Sequence, residues 1–341
     1  MNLSLKKGIQ YFLSLSLAGF FLFWAFGDQD LSRLWSSITT IKLKWIACIT
    51  AITLGTLVVR AWRWQVLLRP FAPQVRTVDA TLALAICYAA NLFIPRSGEV
   101  LRTVSLKWSG NAPMSPVLAT VVVERIMDLF WLIVFIGLAL IIQRDLINQA
   151  FPSLEIASIL VLILSTAALV ALLVLSIYRE KAVQFIQPFV ERTFPEQLAA
   201  RIVNLLNTFI EGLASLQNPL AYVKLIGSSL LLNTGYVLII YYTFVGMSFS
   251  TTYELGFPAS VVIMAISSLG VVVPTPGGMG SYHIAFALPL QELYAVPEIE
   301  ALACATLAHA LATLTYIAIG GPALFFQWWK NRANYALKEP I

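Results

Sequence analysis

The sequence predicts an all-α polytopic membrane protein, with about six full spans plus two re-entrant helical hairpins in an inverted repeat. Three observations predict it. Of the 341 residues, 59% are hydrophobic and only 11% are charged, whereas a soluble domain carries about 25% charged residues. Six apolar runs are near the length of about 20 residues that crosses a bilayer. Two further apolar segments are short and broken at Pro-x-x-Gly, in "NLFIPRSGE" and "GVVVPTPGGMG".

Taken in order, the first run covers Ile9 to Phe26 behind Lys6-Lys7. It exceeds the roughly 7–15 apolar residues of a signal peptide, so it reads as an uncleaved first span. The remaining spans fall near 44–62, 113–142, 154–177, 219–246 and 299–328. The segment 79–94 ends at Pro95-Arg96. The segment 257–273 ends at Pro274 and resumes as Ser281 to Leu293. Residues 180–216 are too polar to span. Leu198, Ile202, Leu205, Leu206 and Phe209 fall there at helical spacing, which predicts a cytoplasmic amphipathic helical segment, either lying on the bilayer surface or packed on the bundle or a partner. No stretch reads as a soluble domain, so residues 1–341 form a single integral membrane domain.

Charge placement sets the orientation. With a cytoplasmic N-terminus and both broken segments re-entrant, the outside keeps only Arg33, Lys42, Lys44 and Arg144, beside the acidic Glu292, Glu298 and Glu300. That is the positive-inside pattern. It places the chain in the inner (plasma) membrane with both termini cytoplasmic. The net charge of +5 belongs to this bias, and no nucleic-acid partner is expected. Cys48, Cys87 and Cys304 are isolated in apolar runs and read as packing residues.

Irregular backbone at membrane depth survives only inside protein or along a wet cavity. Paired, Pro/Gly-interrupted short segments in corresponding halves point to a transporter's central site. In each, proline ends the incoming helix and glycine permits the turn. Ser97 is the expected N-cap of the outgoing arm. Gly277, Gly278 and Gly280 are expected to leave N–H groups bare before a helix at Ser281, an anion-seeking arrangement. The candidate site adds Arg96, Glu99 and Arg102 on the first hairpin, with Gly98 at its turn. Glu124, Arg125 and Asp128 follow inside the apolar "VVVERIMDLFWLIVF". Ionisable residues in a span cost about 2.5–3.5 kcal/mol each and persist when paired or when lining a route. Either Glu124 and Asp128 clamp Arg96 and Arg102 structurally, or the group also meets substrate charge.

In "RAWRWQVLLRP", Arg60, Trp62, Arg63 and Trp64 read as interfacial anchors, with headgroup recruitment as the alternative. His283 is either a packed residue or a proton-sensitive one. His309 lies mid-span, with Thr306, Thr313, Thr315, Asn233 and Tyr236 as candidate partners. No metal spacing, nucleophile elbow, Walker loop or dinucleotide fingerprint occurs, so no cofactor and no metal are expected.

The ordered set "RAWRWQVLL", "NLFIPRSGEVLR", "ERIMDLF" and "PTPGGMGSYH" resembles the transmembrane region of lysylphosphatidylglycerol synthases and the stand-alone flippase-like UPF0104 membrane proteins. The resemblance covers nearly the whole chain. It implies movement of an aminoacylated or other phospholipid, or of a polyprenyl-linked lipid, between leaflets. It points to Asn91, Pro95, Arg96, Gly98, Glu99, Arg102, Glu124, Arg125, Asp128, Pro274, Pro276, Gly277, Gly278 and Gly280. The synthases carry a soluble aminoacyl-transfer domain after this region, and this sequence ends eleven residues after Lys330, so a lysyl transferase is not expected. The expected function is a non-enzymatic lipid translocase whose partners are membrane lipids with a phosphate-bearing headgroup, together with a second copy of the chain or a separate lipid-modifying enzyme. A membrane-embedded enzyme on lipid-linked substrates, with Glu99 and Glu124 as acid and base, and a non-catalytic scaffold for a separate synthase are the alternatives.

Overall fold

The computed structural model describes residues 3–27, 29–110, 112–144, 178–213 and 219–336, with a few isolated positions between 160 and 170. The span expected at 154–177 lies outside the described residues.

The described chain is helical throughout, as a backbone that must satisfy its own hydrogen bonds in lipid requires. Helix α1 (Leu3–Phe26) turns by 82° into α2 (Leu31–Thr39). Asp30 caps α2, its Oδ1 accepting from Ser32 N at 2.9 Å and Arg33 N at 3.2 Å. Helix α3 (Leu43–Leu68) follows, then α4 (Thr77–Asn91), α5 (Ser97–Gly110) and α6 (Met114–Ile142). The polar region forms α7 (Arg179–Thr193) and α8 (Glu196–Leu213). Helix α8 packs along α6, so the expected amphipathic helix is attached to the bundle. Then come α9 (Pro219–Gly246), the single turn α10 (Phe249–Thr252), α11 (Phe257–Val272), a 3₁₀ turn (Pro276–Gly278), α12 (Ser281–Tyr294) and α13 (Glu298–Ala336).

Four described helices are long and apolar enough to cross a membrane: α3, α6, α9 and α13, or five if the bent α1–α2 pair counts as one. The first expected span, Ile9 to Phe26, lies within the single helix α1, which bends at its end into α2. Helix α3 runs six residues past the expected end at 62, which carries Arg63 and Trp64 inside the helix.

The order long helix, helical hairpin, long helix occurs twice: α3, α4/α5, α6 and then α9, α11/α12, α13. The halves interleave. Helix α9 lies on α3, α13 on α4 and α11 on α6. Among the described residues, two large apolar cores result, with two smaller clusters beside them. One joins α3, α4, α6 and the start of α9 around Trp64, Leu67 and Leu84. The other joins α6, α9, α11, α12 and α13 around Phe244, Ile263 and Phe286. Leu54, Val58, Leu129, Leu230, Leu269 and Leu314 are exposed on the outside of the bundle, as side chains facing lipid must be.

The first hairpin corrects two local expectations. Gly98 does not supply the turn; Arg96 adopts the left-handed conformation, at φ 63°. Gly98 serves close approach instead, because a Cβ there would lie 2.0 Å from the Cys87 carbonyl oxygen on the opposite arm. Ser97 is the first residue of α5 rather than its acceptor cap, and its hydroxyl donates to Ile94 O at 2.8 Å. The Asn91 side chain does the capping, accepting from Gly98 N at 2.8 Å.

Candidate functional site

The first constellation is built from helical spacing. Arg60 and Arg63 lie three apart on α3, and Glu124 and Asp128 four apart on α6, so each pair shares a face. The two faces meet. Arg60 donates from Nε to Glu124 Oε1 at 2.7 Å, from Nη2 to Asp128 Oδ2, and from Nη1 to the Tyr236 hydroxyl of α9 at 3.1 Å. Arg63 donates from Nη2 to Asp128 Oδ1 at 2.5 Å and from Nη1 to the Ser229 hydroxyl at 3.2 Å. From the hairpin, Arg102 donates from Nη1 to Glu124 Oε2 at 2.7 Å.

Neighbouring rings hold these guanidiniums. Arg102 stacks 4.6 Å over Trp64, whose indole N–H donates to Thr120 at 2.9 Å. Arg60 stacks 5.7 Å from the Tyr88 ring, and Tyr88 in turn stacks on Tyr316 of α13 at 4.4 Å. Arg125 reaches Glu99 at 3.8 Å and Asp128 at 3.5 Å at the more exposed edge. Arg63, Arg102 and Glu124 are fully buried.

Four guanidiniums thus face three carboxylates, leaving one positive charge. Arg63 Nε, Arg102 Nε and Nη2, and Arg125 Nε are buried with no hydrogen-bond partner among the described residues. A buried donor without an acceptor costs about 1–3 kcal/mol, more when charged. This arrangement can accept an anion at small electrostatic cost.

Arg60 and Arg63 overturn their reading as interfacial anchors: they are buried centres of the network. A signal for them was present. Two arginines at i, i+3 in one span match two carboxylates at i, i+4 in another. Arg96 is exposed at the hairpin tip and forms no ion pair among the described residues, so the expected clamp holds for Arg102 but not for Arg96. Tyr236 bonds Arg60 rather than facing His309, and Asn233 turns back to Ser229 O of its own helix at 2.8 Å.

The second constellation lies where the hairpin tips meet. Gly277, Gly278 and Gly280 all have positive φ, at 60°, 75° and 78°, and Pro274 and Pro276 bracket the turn's start. A Cβ on Gly277 would lie 2.5 Å from Leu92 of the first tip. The expected bare N–H groups are partly engaged, since Gly278 N donates to Thr275 O at 3.1 Å and Gly280 N to His283 Nδ1 at 3.3 Å. His309 Nε2 lies 2.9 Å from Gly277 O. The sequence treated the two histidines separately; the fold brings their rings to 4.9 Å.

Comparison with known proteins adds two findings. A 23% identical relative, named glycosyltransferase AglD, of Haloferax volcanii, aligns over 285 residues, which are 77% of this chain and 45% of that relative. The chain therefore spans under half the length of that protein. No solved structure matches significantly. The family profile for the lysylphosphatidylglycerol synthase TM region matches residues 11–320. A multi-pass helical bundle with intramembrane charges and a match of that extent lead to one conclusion: the chain belongs to the lysylphosphatidylglycerol synthase transmembrane-region family.

Proposed function

We propose that the protein is a lipid translocase that carries a phosphate-bearing headgroup between leaflets. The observation that carries this reading is the buried network of Arg60, Arg63, Arg102 and Arg125 with Glu99, Glu124 and Asp128, which retains one positive charge and four unpartnered buried N–H positions. A monoanionic phosphodiester supplies one negative charge and the acceptor oxygens those donors lack. In this reading the two hairpins are re-entrant, enter from opposite leaflets as an inverted repeat, and meet at Leu92 and Gly277. The termini face the cytoplasm in the inner membrane. Arg96, exposed at the first tip, meets the headgroup on entry. The long arginines hold the phosphate while the acyl chains stay in lipid, and movement of one half against the other changes the exposed side.

The test is mass spectrometry of lipids retained by the purified chain, followed by transfer of the retained lipid in liposomes. Arg125→Gln is the variant, because Arg125 is the most exposed of the network's arginines and its removal disturbs packing least. Enrichment of a phosphate-bearing lipid that Arg125→Gln loses supports the reading. Retention and transfer indifferent to Arg125 overturn it.

A second reading, a membrane-embedded transferase on lipid-linked substrates, is favoured by the name of the Haloferax volcanii relative. Glu124 is a poor acid–base candidate because both its oxygens are bonded to arginines. Glu99, with Oε2 unpartnered, is the residue such a reaction would use. A covalently changed lipid product that Glu99→Gln abolishes would establish this reading over the first.

A further inference from the structure

The chain has two histidines in 341 residues, and both stand at the second hairpin tip. His283 is on the first turn of α12 and His309 on α13, with ring centroids 4.9 Å apart and planes nearly perpendicular. Each ring holds a different backbone atom of the tip. A carbonyl only accepts, so His309 donates its Nε2–H to Gly277 O at 2.9 Å. An amide N–H only donates, so His283 accepts at Nδ1 from Gly280 N at 3.3 Å and carries its own proton on Nε2. This assigns both tautomers from their partners.

A proton added to each ring then has opposite effects. On His309 it adds charge to an existing donor and tightens the hold on Gly277. On His283 the only vacant position is Nδ1, which already accepts from Gly280. Protonation there sets donor against donor, so the Gly280 contact must open. That contact is the N-terminal cap of α12, and Gly280 packs so tightly on α1 that a Cβ would lie 2.5 Å from Phe21. Gly277, held by His309, is the residue that meets Leu92 of the other hairpin.

We propose that His283 and His309 form a proton-binding site whose occupancy sets the position of the second hairpin tip, so that lipid movement is coupled to proton movement. The site takes one proton, because two adjacent imidazolium rings repel. Among the described residues, the ring and hydrogen-bond neighbours of the two histidines carry no fixed charge. Tyr282 stands 6.1 Å from the His283 ring and 5.2 Å from the His309 ring. Cys304 and Tyr316 of α13 and Ser267 of α11 interact with Tyr282. Helix α1 contributes Phe26, at 5.4 Å from His283. The described side chains of α1 and α11 include no titratable group. Among the described residues neither ring has a carboxylate partner. The proton site stands on this geometry alone; its coupling to lipid rests on the translocase reading above.

The experiment uses the full chain, ¹⁵N-labelled at histidine and glycine, in phosphatidylglycerol–phosphatidylethanolamine vesicles. Solid-state NMR follows both rings from pH 8 to pH 4.5, and hydrogen exchange follows Gly280. His283 gains a proton in this range, and protection of the Gly280 amide falls at least tenfold. His283→Gln keeps an acceptor at the third helical position, the usual partner in a capping box, and removes the titration, so its Gly280 protection stays constant with pH. A His283 ring that stays neutral down to pH 4.5, whether or not His309 titrates, or pH-dependent Gly280 protection that survives in His283→Gln, overturns the proton site. Lipid transfer under an imposed pH gradient is measured beside it. A gradient effect in the wild type that His283→Gln loses supports the coupling, and equal transfer by both overturns it. A wild type that moves no lipid at all sinks the translocase reading, while the ring spectra still decide the proton site.

Discussion

Glu124→Gln isolates the energetic role of the intramembrane network. Glu124 is fully buried and takes Arg60 at 2.7 Å, Arg63 at 3.4 Å and Arg102 at 2.7 Å. The substitution keeps the volume, removes one charge and leaves four guanidiniums facing two carboxylates. Removing one partner from a buried ion pair costs about 3–5 kcal/mol, because the surviving charge stays buried without compensation. At roughly 2–4 °C per kcal/mol for a chain of moderate size, the apparent unfolding midpoint in detergent falls by about 10 °C. Arg102→Met alone falls similarly, since Glu124 Oε2 then loses the arginine that bonds it. The double variant restores the network's single positive charge and replaces a buried ion pair with a neutral amide beside an apolar side chain. Its loss is therefore smaller than the sum of the singles by about 2–3 kcal/mol, the coupling expected between residues in direct contact. The assay is thermal unfolding of the four proteins in one detergent, followed by intrinsic fluorescence and by loss of monodisperse protein. A midpoint for Glu124→Gln within 2 °C of wild type, or strictly additive losses, would refute the claim that the network holds the hairpin to the spans.

Three further outcomes are expected. Gly98→Ala places a Cβ 2.0 Å from the Cys87 carbonyl oxygen, so the hairpin arms must part. Backbone cannot rotate away as a side chain can, which puts the loss at about 3 kcal/mol, the upper end for overpacking, readable as a lower midpoint and faster proteolysis at the tip. Arg96→Ala removes an exposed side chain without an ion pair, so stability changes by less than about 0.5 kcal/mol while lipid transfer drops at least tenfold; unchanged transfer removes Arg96 from the entry route. Tyr253, outside the spans, donates to Glu300 at 2.9 Å, and burial together with that carboxylate pushes its phenol up to about 12. Its folded value is raised above the unfolded value of about 10, so its contribution is complete below pH 10 and is lost as pH rises towards 12. Tyr253→Phe flattens the decline in midpoint over that window, and an identical decline in both proteins contradicts the assignment.

What the sequence disclosed, and what it hid, follows from the range of the forces involved. Broken apolar segments are local events, written in adjacent residues: Pro95 to Gly98 and Pro274 to Gly280 announce two turns because proline and glycine act on their own backbone. Both hairpins formed where those residues stand. The partner of a buried charge is a long-range fact. Arg60 and Arg63 lie 64 and 65 residues before their carboxylates Glu124 and Asp128, and in the sequence they sit beside tryptophans, as interfacial anchors do. Only the six extra residues of α3 distinguish a span that ends at Trp62 from one that carries both arginines inside.

The same limit explains Gly98 and Arg96. A glycine beside a proline suggests a turn, but Gly98 is required by the carbonyl of Cys87 on the facing arm, which no local pattern records. The residue that takes the left-handed conformation is Arg96. An L-residue with a Cβ adopts it only when the surrounding structure holds it there. The turn is held by the closely packed arms on either side, with Asn91 bonded to Gly98 N and Ser97 bonded to Ile94 O. Arg96 thus stands exposed on a fixed tip, set apart from the buried arginines of the network. A mobile lysine-like anchor would gain nothing from that fixation. In the translocase proposed above, a guanidinium that meets a headgroup at one place gains orientation from it.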